Sequence, residues 1–153
     1  MKKMAQNVYI VYGSPASGKT TFVLNQMTER DIRIDMDALV GALTKTHQKH
    51  LDRLHPDYAR VMPVALSVRD TLWSMLATRV GTWENAYVIT NQWNEKKVSE
   101  LAKYLNAECI FMDIPEDECI RRAQQDEART DKEKELRIIR EWFYKRRNLS
   151  EIQ

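Results

Sequence analysis

Residues 13–21 read GSPASGKTT, directly after the apolar run NVYIVY and directly before FVLNQM. The first eight satisfy G-x-x-x-x-G-K-[ST] in full, with a strand pattern ahead and a helical pattern behind, which is the context that gives the pattern its mechanical meaning. Two of the chain's 4 glycines sit here. The backbone has to curl so that successive N–H groups point inward, and glycine admits the dihedrals that side chains resist. A nest of that kind at a helix N-terminus binds a phosphate chain. The motif therefore predicts that Gly13, Ser14, Pro15, Ala16, Ser17, Gly18, Lys19, Thr20 and Thr21 wrap a nucleoside triphosphate. Lys19 would face the β- and γ-phosphates, and the Thr20 hydroxyl would serve Mg²⁺.

The rest of the chain fits a frame around that loop. Short apolar runs at 8–12, 32–35, 86–90 and 108–112 have the composition of buried parallel strands. Helical patterns separate them: 20–30, a long stretch from 38 to 80 holding two or three helices with breaks near 55–56 and at Pro63, then 94–105, 115–128 and about 131–147. The alternation predicts an α/β fold, a three-layer P-loop NTPase sandwich with a parallel sheet of about four to five strands. At 153 residues, one domain spanning 1–153 is expected, with a lid around 121–132.

Composition narrows the partners. Lys plus Arg is 24 against 22 for Asp plus Glu, so no global field draws in nucleic acid or an anionic membrane, and anion affinity has to be local. Two cysteines, Cys109 and Cys119, do not make a disulfide framework. The N-terminus lacks a signal-peptide pattern, and no apolar run approaches spanning length. A reduced, cytoplasmic protein is expected.

Nucleotide binding does not decide the reaction, because the same loop serves ATPases, GTPases and kinases. The second strand runs into RIDMDAL, which sets Asp35 and Asp37 two apart. On extended backbone both carboxylates leave one face and meet the crevice at the carboxyl ends of the strands. Asp37 is read as the base that takes a proton from an attacking hydroxyl, and Asp35 as part of the Mg²⁺ shell. The alternative is that Asp37 caps the following helix. Asp113, after CIFM, has the form of a Walker B acid, but Ile114-Pro115 follows at once and favours a structural or peripheral role. Thr90 and Asn91 close the third strand as polar groups suited to a phosphate oxygen or a substrate; the alternative is a plain loop start.

Phosphoryl transfer also calls for cations over the phosphates. Arg121, Arg122 and Arg129 lie between the last two helical patterns, where a lid would sit. Arg129 is read as catalytic and Arg122 as nucleotide-binding; the alternative is a salt-bridged solvent face, since acids are interleaved. His47, His50 and His55 lack metal-site spacing and read as surface residues. Trp73, Trp83, Trp93 and Trp142 read as packing residues. Lys145, Arg146 and Arg147 complement a helix dipole, although with Lys45 and Lys49 they would also suit a single-strand channel.

Taken together, the loop, the acid after the second strand, the Thr-Asn pair after the third, the MDIP turn and the arginine-bearing lid resemble the kinase domain of polynucleotide kinases and the small phage-type AAA-domain proteins grouped with them. The resemblance implies a nucleoside-kinase-like fold, ATP and Mg²⁺, and a base at Asp37 acting on a 5′-hydroxyl. The family's arginine three residues after that acid is Val40 here, and its aspartate before Thr-Asn is Ile89. The Asp-x-Asp arrangement is also similar to that of shikimate- and gluconate-type kinases. The expected function is transfer of the γ-phosphate of Mg·ATP to a nucleic-acid end or nucleotide; the alternative is a nucleotide-dependent binding module or switch serving nucleic-acid processing.

Overall fold

A computed structural model of the protein describes residues 5–45, 56–127, 129 and 131–149. Along the chain run β1 (Asn7–Tyr12), α1 (Lys19–Gln26), β2 (Ile32–Ile34), α2 (Met36–Leu43), α3 (Pro56–Ala77), β3 (Asn85–Thr90), α4 (Glu95–Leu105), β4 (Glu108–Phe111), α5 (Glu116–Gln125) and α6 (Lys132–Arg147). The four strands form one parallel sheet in the order β2-β3-β1-β4. Tyr12 is in register with Thr90 on one side and Phe111 on the other, so three strands end at the same level.

Alternation in β1 makes the layers. Val8, Ile10 and Tyr12 face a core that takes Leu72 and Leu76 from α3 and Val98 and Leu105 from α4. Tyr9 and Val11 face the other way, against Phe22 and Val23 of α1, where Tyr9 stacks on Tyr87 with centroids 5.5 Å apart. Each face is covered by helices, so neither can be polar, and the strands read as continuous apolar runs. The three-layer α/β sandwich with a four-stranded parallel sheet is as expected from the sequence.

Two local expectations are corrected. β2 stops at Ile34, and Asp35, with φ −136° and ψ 124°, is the N-cap of α2. Pro63 does not break a helix but lies inside the 22-residue α3. Pro63 and Ala59, whose carbonyl loses its donor, are both exposed, so water can replace the missing bond. His47, His50, His55 and Lys49 lie outside the described residues.

The sheet's lower edge is tied by polar groups. The Arg79 guanidinium donates to the carbonyls of Gln6, Leu76, Leu105 and Asn106, joining β1 to the ends of α3 and α4. Asp31, 8% exposed, accepts from the backbone N–H of Thr28 at 2.9 Å and from both the backbone and side-chain nitrogens of Asn85 at 3.1 and 3.2 Å. Burial pushes its pKa up, but the bonds from Thr28 and Asn85 outweigh burial and bring the carboxyl below its usual range. A depressed folded pKa stabilises above the unfolded value and is lost as pH falls through the folded one. Asp31→Ala is therefore expected to cost about 1–3 kcal/mol at neutral pH, the cost of orphaning buried donors. The difference from wild type should shrink in acid. Urea titrations at neutral and acid pH check both statements; a pH-independent difference would mean that packing, not charge, carries the effect.

Candidate functional site

The loop between β1 and α1 closes under tight steric limits. Gly13 has φ +155°, and a Cβ there would lie 3.0 Å from the Met112 carbonyl oxygen and 3.1 Å from Ser17 Oγ. Gly18 has φ +85° and caps α1 in the left-handed region. Ala16, not a glycine, sits at φ +64°, a strain of order 1 kcal/mol of the kind that clusters at binding loops. Lys19 is 7% exposed. Its ammonium donates to the carbonyls of Gly13 at 2.9 Å and Ser14 at 2.6 Å, and lies 3.4 Å from Ser17 Oγ, so the charge is held across the mouth of the loop.

The acids come from the start of α2. Asp35 accepts from the backbone N–H of Asp37 at 3.1 Å, which caps the helix and orients the carboxylate. Its other oxygen is 3.5 Å from Thr20 Oγ1 and 3.4 Å from Arg33 Nη1. Asp37 sits in the first helical turn, half-buried. The expected strand geometry is thus replaced by a strand-to-helix corner: Asp35, not Asp37, makes the cap, and both still line one cleft with the loop. The Thr20 hydroxyl beside the Asp35 carboxylate is a hard-oxygen pair suited to Mg²⁺, which otherwise relies on water and substrate phosphates. No cluster of three or more His, Cys, Asp or Glu suited to a metal occurs among the described residues.

Arg121 and Arg122 lie within α5 rather than between two helices as expected, and only Arg129 sits on the link to α6. Arg122 Nη1 donates to the Ser17 carbonyl at 3.3 Å while Nε pairs with Glu118 at 3.0 Å, so one arginine touches the loop itself. Arg129 pairs with Asp126 at 3.1 Å and Glu135 at 2.6 Å, and all three line the cleft. Arg121 differs. It pairs with Glu118 and Gln125 on an exposed face, the salt-bridged alternative in the sequence reading. Hydrogen bonds from Arg121 and Arg122 hold the Glu118 carboxyl down at about 2.

Loop residues 15–21, Asp35, Asp37, Arg122 and Arg129 border one cleft of about 940 Å³ at the carboxyl ends of the strands, whereas Gly13, Ser14 and Arg121 are not among its lining residues. Thr90 and Asn91 are part of its wall. Asp113 is exposed and is not among the lining residues, in line with a peripheral role. Trp83 and Trp142 are buried, as packing residues should be. Trp73 packs against the main core as expected and also lines the cleft together with Tyr58, Met62 and Arg69 of α3. An Arg-x-x-x-Trp spacing on a helix was the available signal. Trp142 Nε1 donates to the Asn91 carbonyl at 2.7 Å, and Arg146 lies 4.2 Å over Phe111 and pairs with Glu95. The Tyr12 hydroxyl, pushed up to about 12 by burial and by its bond to Glu95, completes that anchor of α6.

Comparisons with known proteins bear on the family and the fold. A family profile described as an AAA domain matches residues 8–145. A chain in the structure of the Pnkp1/Rnl/Hen1 RNA repair complex is similar in fold, with a TM-score of 0.55 and 12% identity, over 95% of this chain. This chain spans 47% of that one's length. No protein among the curated ones matches the chain significantly.

Proposed function

The chain belongs to the AAA-domain family of P-loop kinase-like, nucleotide-binding proteins, and from that premise we propose that it is an ATP-dependent phosphotransferase acting on a nucleic-acid end or nucleotide. The observation that carries this reading is a single cleft that holds the phosphate loop, the two acids of α2 and the cations Arg122 and Arg129. The loop N–H groups and Lys19 bind the β- and γ-phosphates of the substrate ATP. Mg²⁺, when bound, neutralises charge on those phosphates, and Thr20 and Asp35 hold it. Asp37 takes the proton from the acceptor hydroxyl as its oxygen bonds to the γ-phosphorus. The bond from that phosphorus to the bridging oxygen breaks, and its electron pair leaves with ADP. Arg129 covers the charge that spreads over the transferring group.

The protein would work as one domain with a lid around 121–132, in the cytoplasm, where the free thiols of Cys109 and Cys119 stay reduced. Among the described residues no helix is long and apolar enough to cross a membrane. The fold likeness to a chain of an RNA repair complex supports, without deciding, a nucleic-acid acceptor.

The test is transfer of labelled γ-phosphate from Mg·ATP to 5′-hydroxyl DNA and RNA oligonucleotides, nucleosides and nucleoside monophosphates, with Lys19→Ala as the blank. Label on an oligonucleotide or a mononucleotide is the expected result. ATP binding with no labelled acceptor would overturn transfer and leave a nucleotide-dependent switch. One observation favours that second reading: Val40, where related kinases carry arginine, is fully buried against α3, so α2 presents no charge there.

A further inference from the structure

The cleft has a wall that the phosphate loop does not supply. α3 brings Tyr58, Met62, Arg69 and Trp73 to it, at spacings of four, seven and four that define one stripe of a helix. A cleft of about 940 Å³ stands near the top of the range for small-molecule sites, roughly 300–1,000 Å³. It has room for a second ligand beside a triphosphate. Arg69 is the basic residue on that wall among the described ones.

Its setting is specific. The guanidinium carbon lies 4.2 Å from the centroid of the Trp73 ring, so the indole serves as a plate beneath it. Trp73 itself packs against the main core beside Leu72, and its buried Nε1 has no hydrogen-bond partner among the described residues, so apolar packing and the arginine account for its position. Arg69 Nε and Nη2 donate to Asp70 Oδ1 at 3.2 and 2.9 Å, which leaves Nη1 without a hydrogen bond among the described residues. Asp70 is 64% exposed, and a pair that wet is readily exchanged for a stronger anion. A stacked, oriented guanidinium with an uncommitted edge is suited to a phosphate or carboxylate.

We propose that Arg69, seated on Trp73, is the residue that selects the acceptor, and that the acceptor is a hydroxyl compound carrying an oxyanion, a phosphate or a carboxylate, away from the reacting hydroxyl. This rests on the phosphotransfer reading above. Uncharged acceptors are then poor ligands.

Calorimetry on the full chain saturated with Mg²⁺ and a non-hydrolysable ATP analogue tests this without any transfer step. The probes are adenosine, adenosine 3′-monophosphate, a 5′-hydroxyl oligonucleotide and gluconate. Wild type should bind at least one anionic probe and bind adenosine at least tenfold more weakly. Arg69→Ala should lose at least tenfold for that anionic probe at unchanged analogue affinity, which also shows that the variant is folded. Arg69→Lys should recover part of the loss, and Asp70→Asn, which removes the competing carboxylate, should tighten the anion by roughly two- to fivefold. The probe that responds tells phosphate from carboxylate. Equal affinity for charged and neutral probes, no effect of Arg69→Ala, or no binding by wild type would each overturn the proposal. Arg69-dependent binding with no label transferred would sink the phosphotransfer reading alone; transfer indifferent to Arg69 would sink this one alone.

Discussion

Asp37→Asn is expected to lower phosphoryl transfer by about 10²–10⁴-fold, the range for removing a positioned general base, while ATP binding stays as in wild type. The amide keeps the size of the carboxylate, and the backbone N–H of residue 37 still donates to Asp35, so the start of α2 is not rebuilt. What is lost is an acceptor for the hydroxyl proton. Single-turnover transfer measured beside calorimetric ATP affinity separates the two effects. A rate within threefold of wild type would place the base elsewhere, and Asp35 would be the next carboxylate to test because it lines the same cleft.

Lys19→Ala is expected to remove both affinity and rate. The ammonium is buried and bonded to the carbonyls of Gly13 and Ser14, so its charge is desolvated and held at the loop's mouth. A charge-assisted hydrogen bond is worth about 1.5–3 kcal/mol, so loss of one such contact to phosphate weakens ATP binding by roughly ten- to a hundredfold. Thermal unfolding reads this directly. A ligand at a hundred times its Kd stabilises the folded state by about 2.7 kcal/mol. About half or more of that gain should vanish in the variant at the ATP concentration that shifts wild type. An unchanged ATP-dependent shift would show that the loop N–H groups alone hold the phosphates.

Much of this was legible in the chain because it depends on local order. The glycine pattern requires positive φ at Gly18 and room at Gly13, and both are met. The strands read as apolar runs because helices cover both faces of the sheet. The helical pattern that begins at 94 opens on an asparagine, whose side chain accepts from the N–H of Lys96 and Lys97. Helix breaks were less legible. Pro63 breaks an isolated helix pattern, but a solvent-facing carbonyl at Ala59 makes its missing donor cheap, and exposure is not written in the residue itself.

The arrangement of charges belonged to the tertiary structure. Arg121 and Arg122 are neighbours in sequence with the same chemistry, yet one turns to an exposed Glu118–Gln125 face and the other reaches the Ser17 carbonyl. Helical rotation of about 100° per residue separates them, and only the docking of α5 against the loop decides which faces inward. Arg69 and Trp73 meet Asp37 in one cleft for a related reason, since α3 packs on α2 across a stretch of chain with no local signal for that contact. By itself, then, the sequence determined the phosphate loop, the parallel α/β frame and the acids at positions 35 and 37, because steric rules and hydrophobic periodicity act over a few residues. Which cations and aromatics complete the cleft was decided by helix packing, because side chains far apart in sequence converge only when apolar stripes on different elements are buried together.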